Sequence, residues 1–209
     1  MNSIFRKLIT VSLGTTIAGF GVQLIVAANM GADSVSTIIL GFLNYIDIPF
    51  ARWSQILSII FLMSTFLYKK RILGIGSIIN TLLFGETISF LSIFVHYENT
   101  RSTLSCFGYF ILGFIMMAFG TAIYIKGELG VGPLEGIMFC ICDKFRLSVK
   151  YSRILIDFLI VFIGVVLGAP FGVGTFFAVF LLGPMIEFFL YLLDRLSGKL
   201  SIPITITDE

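Results

Sequence analysis

The chain has 209 residues, of which 57% are hydrophobic, 15% aromatic and 12% charged, with a net charge of +2. Soluble domains carry about 25% charged residues. Half that charge, with a mean hydropathy of +1.04 and several apolar runs of about 20 residues, excludes an ordinary soluble fold and predicts an integral membrane protein. The expected fold class is all-α, a single polytopic transmembrane bundle over residues 1–209 in contact with the lipid bilayer. The net charge says little about partners, and nothing in the pattern points to nucleic acid.

Span one runs from about Leu8 to Ala28 and carries Gly14, Gly19, Gly21 and Gln23. It is longer than the core of about 7–15 residues in a signal peptide. Met30-Gly31-Ala32-Asp33-Ser34 then breaks the chain ahead of a short apolar piece, Ile38 to Tyr45. That piece is too short to cross about 30 Å of hydrocarbon. Asp33 or Ser34 is suited to cap its start.

Span two, about Trp53 to Tyr68, stops at Lys69-Lys70-Arg71. Span three runs from about Gly74 to Val95 and holds Asn80 and Glu86. The loop after it carries His96, Glu98 and Arg101. Span four, about Leu104 to Ile125, carries Gly108, Gly113 and Gly120. It leads to Glu128 and a second broken stretch, Leu129-Gly130-Val131-Gly132-Pro133-Leu134-Glu135-Gly136. A short piece follows and ends at Asp143-Lys144-Phe145-Arg146. Span five, about Tyr151 to Leu167, contains Asp157, which can pair with Arg153 four residues away. Span six, about Gly174 to Leu193, contains Pro184 and Glu187, and a polar tail occupies residues 199–209.

The three cysteines and single histidine have no metal-site spacing, so no metal or cofactor is expected. No nucleotide-binding or hydrolase motif is present, so an enzyme is not expected either.

The two broken stretches mark a repeat, about 5–98 and 104–195. At an offset of 99, Gly14 meets Gly113, Gly21 meets Gly120 and Gly31 meets Gly130. At 98, Gly74 meets Gly172, Gly76 meets Gly174, Ser77 meets Thr175 and Gly85 meets Gly183. Each half reads as span, short broken or re-entrant piece, span, span. Three crossings per half is odd, which predicts six spans as two inverted repeats, a plan shared by many secondary transporters. With both termini inside, twelve Lys and Arg residues fall in inner loops, Arg153 among them, and only Arg52 and Arg101 in outer loops. Cytoplasmic loops carry such an excess. Eight spans with parallel repeats would divide the same residues ten to four.

Irregular backbone at membrane depth is tolerated where it is buried in protein or lines a wet cavity. Helix starts there attract anionic groups, while Asp33, Glu128 and Glu135 can hold a cation or proton. If both short pieces lie flat at the interface, these carboxylates are only caps. Glu86, among apolar residues inside span three, is the sharpest single candidate, because an ionisable group there usually faces a cavity or partner. The candidate binding set is Asp33, Ser34, Asn80, Glu86, Glu128, Pro133, Glu135 and Glu187, for an unknown small molecule or ion. The small-residue faces of spans one and four offer a surface for a homodimer.

Leu129-Gly130-x-x-Pro133-x-Glu135, after Gly113 and Gly120 and before a Gly-x-Gly-Thr span, resembles the bacterial membrane proteins of the YczE/YyaS/YitT family. That family has Asp where this chain has Glu135, and the first copy here has Ser34 where the second has Pro133. The long soluble C-terminal domain of the YitT branch is missing, so the YczE-like branch fits better. The resemblance implies a bacterial inner-membrane protein, a transporter or an accessory to production of a secreted metabolite, and it supplies no catalytic residues. The expected function is a small secondary transporter with a midplane site between the broken segments. The alternative is a non-transporting membrane partner, such as the substrate-binding subunit of a larger complex.

Overall fold

A computed structural model describes residues 3–95 and 102–196. The loop holding His96, Glu98 and Arg101 and the tail at 199–209 lie outside the described residues. The described chain forms eight α-helices: α1 (Ser3–Ala28), α2 (Ser34–Leu43), α3 (Phe50–Lys69), α4 (Ile75–Ser92), α5 (Thr103–Lys126), α6 (Pro133–Phe145), α7 (Val149–Val166) and α8 (Val173–Leu196). A short 3₁₀ turn, Lys70–Ile72, joins α3 to α4. No strand occurs among the described residues.

Helices α1, α3, α4, α5 and α8 are long and apolar enough to cross a membrane. Large apolar side chains cover the outside of the bundle, with Leu67 and Leu104 each 81% exposed. A surface of that kind is made for lipid. Helix α7 has 18 residues, as many as α4, but carries Lys150, Arg153 and Asp157 along its length. Helices α2 and α6 have 10 and 13 residues, about 15 and 20 Å at 1.5 Å per residue. Neither reaches across about 30 Å of hydrocarbon.

The short helices do not lie flat on the bundle. Ser34, Ser36, Thr37, Ile38, Ile39 and Gly41 of α2 are buried, as are Leu134, Gly136, Met138 and Phe139 of α6. Ser34 bonds Asp157 midway along α7, and Gly41 meets Gly164 near its end. So α2 runs parallel to the second half of α7. In the same way Gly136 meets Thr65, and Asp143 pairs with Lys69, so α6 runs parallel to the end of α3. Each short helix therefore packs on a long helix from the other half of the chain.

Two apolar cores result. One joins α1, α4, α5 and α8 through Val22, Ile25, Ile88, Phe114 and Leu182. The other joins α2, α3, α6 and α7 through Ile39, Trp53, Leu134, Met138 and Ile160.

The first core is built on glycines. A methyl group on Gly14 would sit 2.7 Å from the Gly120 carbonyl oxygen, and one on Gly21 would sit 2.5 Å from that of Gly113. Residue numbers rise along α1 as they fall along α5, so the two helices cross antiparallel. These faces close on each other within one chain, so they are not a surface for a second copy. Small residues let helix backbones touch where no hydrophobic effect drives association.

Because the obstructing atoms are backbone, they cannot move aside. Gly21→Val or Gly113→Val is expected to cost at least about 2–3 kcal/mol through overpacking. Gly108, in the same helix, has nothing within 4 Å of an added methyl. Gly108→Ala is expected to be neutral or to stabilise by up to about 1 kcal/mol through helix propensity. Thermal unfolding of the three variants in detergent checks the contrast.

Candidate functional site

Both breaks use the same backbone solution. Asn29 and Glu128 have φ of 50°, and Gly31 and Gly130 have φ of 110° and 116°. Only glycine adopts the second pair of values without strain. The freed backbone groups find partners in protein. The Gly174 N–H donates to the Met30 carbonyl (2.8 Å), and the Ala32 N–H to the Thr175 hydroxyl (3.0 Å). In the second break the Gly76 N–H donates to the Leu129 carbonyl (2.8 Å), the Val131 N–H to Ile72 (3.0 Å), and the Ser77 hydroxyl to Val131 (2.6 Å). Tyr124, 2% exposed, donates its hydroxyl to the Gly130 carbonyl. Each break is thus fastened to the start of a long helix from the other half.

These fastenings aim the starts of α2 and α6 at one cavity of about 80 Å³ between the two cores. Its wall on one side is Ala18, Asn80, Phe84, Met117, Thr121 and Tyr124. On the other it is Asp33, Ser36, Phe50, Ser54, Ser58, Pro133, Glu135 and Arg153. Asp33 caps α2 by accepting the Ser36 N–H at 3.3 Å, and it also accepts the Ser36 hydroxyl. Pro133 opens α6 at a position where its missing N–H costs nothing. Glu135 lies in the first turn of α6, where the helix dipole favours a carboxylate.

Arg153 links the two breaks. Its Nε donates to Asp157 Oδ2 at 2.8 Å and its Nη1 to Glu135 Oε1 at 3.2 Å. The Ser34 hydroxyl completes Asp157 with a bond of 2.5 Å to Oδ1. The Arg153 and Asp157 side chains are 4% and 1% exposed, and Glu135 is 13% exposed. Removing one partner of such a set leaves a bare charge in an apolar interior.

The sequence candidates divide accordingly. Asp33, Asn80, Pro133 and Glu135 line the cavity, and Asn80 also donates to the Thr15 hydroxyl at 3.1 Å. Ser34 stands just behind it, on Asp157. Three candidates lie elsewhere. Glu86 is 59% exposed and bonds Arg52 (3.3 Å) and Gln55 (3.1 Å). Its neighbour Gly85 packs on Ala51 and Gln55 near the start of α3, so Glu86 sits beside that start and not on the cavity wall. Glu128 pairs with Lys7 at 3.0 Å and is 65% exposed. Glu187 is on the exposed outer face of α8.

Arg153 and Asp157 were read from sequence as an i,i+4 pair, and the pair forms. Arg153 is nevertheless not a loop residue: it is buried inside α7 and reaches the cavity. It therefore does not belong among the inner-loop cations. Ser36, Ser54, Ser58, Thr121 and Tyr124 had no signal of their own, because isolated hydroxyls are common in membrane helices.

Arg153→Met is expected to destabilise the protein by about 3–5 kcal/mol, because Glu135 and Asp157 lose their counter-charge. Adding Asp157→Asn to that variant should recover part of the loss. Unfolding midpoints of the single and double variants in detergent, compared as a cycle, measure the coupling.

Comparison with known proteins places the chain. A Haemophilus influenzae Rd relative, named only as an uncharacterized protein, is 29% identical over 185 residues, 87% of this chain and 82% of its own length. The Bacillus subtilis protein YyaS, also named as uncharacterized, is 25% identical over 189 residues, 88% of this chain and 92% of its own. The B. subtilis uncharacterized membrane protein YczE is 25% identical over 176 residues, 84% of this chain and 81% of its own. No solved structure matches. A family model described as a family of unknown function, DUF6198, matches residues 5–191, and the chain, a membrane protein related to YyaS and YczE, belongs to that family.

Proposed function

We propose that the protein is a small secondary transporter of the bacterial cytoplasmic membrane, with six crossings and both termini in the cytoplasm. The observation that carries this reading is the cavity at the starts of two half-length helices, walled by both halves of the chain and edged by the Glu135–Arg153–Asp157 ion pairs. Broken helices that meet at a polar site are the common form of a transporter's solute site. Ionisable groups kept inside a membrane bundle usually serve a solute or proton path.

The antiparallel crossing of α1 and α5 supports inverted repeats. If α1 and α5 are equivalent spans, an odd number of crossings separates their entry sides, which fits α1, α3 and α4 crossing while α2 does not. Eight crossings with parallel repeats would require α1 and α5 to run the same way. In transport, the α1–α4–α5–α8 group and the α2–α3–α6–α7 group would rock about the cavity and open it to each face in turn.

Single cysteines at Asp47, Lys144 and Ser54, placed in a background lacking Cys106, Cys140 and Cys142, test this reading in intact cells and inverted vesicles. Membrane-impermeant thiol reagents are expected to reach position 47 only from outside, 144 only from inside, and 54 from both. Labelling of 47 and 144 from the same face overturns the inverted plan. Labelling of 54 from one face alone overturns alternating access and favours a binding subunit of a larger complex.

A further inference from the structure

We infer that the cavity takes a small organic monocation, one with N–H donors on a short apolar body; this rests on the cavity being a solute site. The argument begins with charge. Asp33 on α2, Glu135 on α6, and Arg153 and Asp157 on α7 are the charged groups at or directly behind the wall. Helices α1, α3, α4 and α5 contribute no Asp, Glu, Lys or Arg to it. Arg153 is already bonded to Glu135 and Asp157, whereas Asp33, 2% exposed, accepts only from Ser36 and bonds no Lys or Arg among the described residues. A buried carboxylate without a counter-charge on the wall of a largely apolar cavity is costly, and a cation in that space would supply one.

Two groups on the wall are open to an N–H donor. Arg153 already serves Glu135 and Asp157. Glu135 uses only Oε1 for that bond, so Oε2 has no hydrogen-bond partner among the described residues. Ser54, 3% exposed, lines the cavity and likewise has no partner among the described residues. The carboxylate oxygen can only accept, and the hydroxyl can accept as well as donate, so both can take an N–H donor. The strongest rival is an anion on Arg153 Nη2, which also makes no bond among the described residues. An anion there would leave Asp33 without a counter-charge.

The wall also sets the kind of cation. No three His, Cys, Asp or Glu side chains converge to hold a metal ion among the described residues. Phe50, Phe61, Phe84 and Met117 supply apolar and aromatic faces, which suit an alkyl body and a cation over a ring. An ammonium or amidinium group fits such a wall better than a bare metal ion.

The test is binding of propylammonium to the purified full-length protein, by calorimetry and thermal shift at constant ionic strength. Propionate, propan-1-ol and sodium serve as comparisons. Saturable stabilisation by propylammonium alone is expected. Glu135→Gln and Asp33→Asn should each weaken it at least about tenfold, the loss of one charge-assisted bond. Ser54→Ala, which leaves every ion pair intact and so guards against variants that fail to fold, should weaken it about three- to tenfold. Glu86→Gln, away from the cavity, should bind as the parent does. No saturable response to propylammonium, an equal response to propionate or sodium, or full affinity in all three cavity variants overturns the inference. Binding of propylammonium without alternating access would instead keep this inference and overturn the transporter. Alternating access with a preference for anions would do the reverse.

Discussion

Two backbone hydrogen bonds hold the arrangement together: Gly174 N–H to the Met30 carbonyl, and Gly76 N–H to the Leu129 carbonyl, both at 2.8 Å. A helix that breaks inside an apolar bundle frees N–H and C=O groups that water cannot reach, each costing several kcal/mol if left alone. Here each break gives its groups to the first residues of a long helix in the other half. The closeness this needs requires a glycine on at least one side of each contact. A methyl on Gly31 would lie 2.6 Å from the Thr175 nitrogen, and one on Gly130 would lie 2.7 Å from the Ser77 hydroxyl oxygen. The same glycines that turn the chain also let it be fastened, so the cavity cannot form until both halves are present.

Equivalent geometry has been filled with different chemistry. At the 99-residue offset that relates Gly31 to Gly130, Ser54 and Ser58 correspond to Arg153 and Asp157, and Ser36 corresponds to Glu135. All but Asp157 line the cavity, and Asp157 stands just behind Arg153. One half of the chain therefore brings an ion pair to the site and the other a pair of hydroxyls. The helix contacts are exchanged in a similar way. Gly164 packs on Thr37, while Gly136 packs on Thr65, so each contact joins one threonine and one glycine with their places reversed. The scaffold thus keeps its helix contacts while the lining of its cavity differs between the halves.

Much of the frame was legible in the sequence because glycine has few uses in an apolar chain. Gly14, Gly21, Gly113 and Gly120 mark the α1–α5 crossing, and Gly31 and Gly130 mark the breaks. The short pieces could be recognised from length alone. The site was less legible. Glu86 looked central and does lie well inside α4, but Arg52 and Gln55 wait beside it at the start of α3. Position along a helix can be read from spacing, but the neighbour across the gap cannot. Arg153 failed the other way. Near a cluster of loop charges it read as one more of them, and nothing local shows that Glu135, eighteen residues earlier, folds back to meet it.

The ion pairs that join the two halves are unevenly distributed. Lys7 pairs with Glu128 and Lys69 with Asp143, tying the second break and the end of α6 to the first half. The positions 99 residues from Glu128 and Asp143 are Asn29 and Asn44, and Asn44 bonds the Leu167 carbonyl with a neutral amide at 3.1 Å. Among the described residues, the two halves are therefore joined by charges at one end of the bundle and by a neutral amide contact at the other. Partly exposed ion pairs contribute about 0–1 kcal/mol each and weaken with salt, so neither end is locked. The buried set around Arg153 differs in kind. Its worth lies in the cost of separating its members, which ties the starts of α2 and α6 to α7 and keeps both broken segments facing the same space.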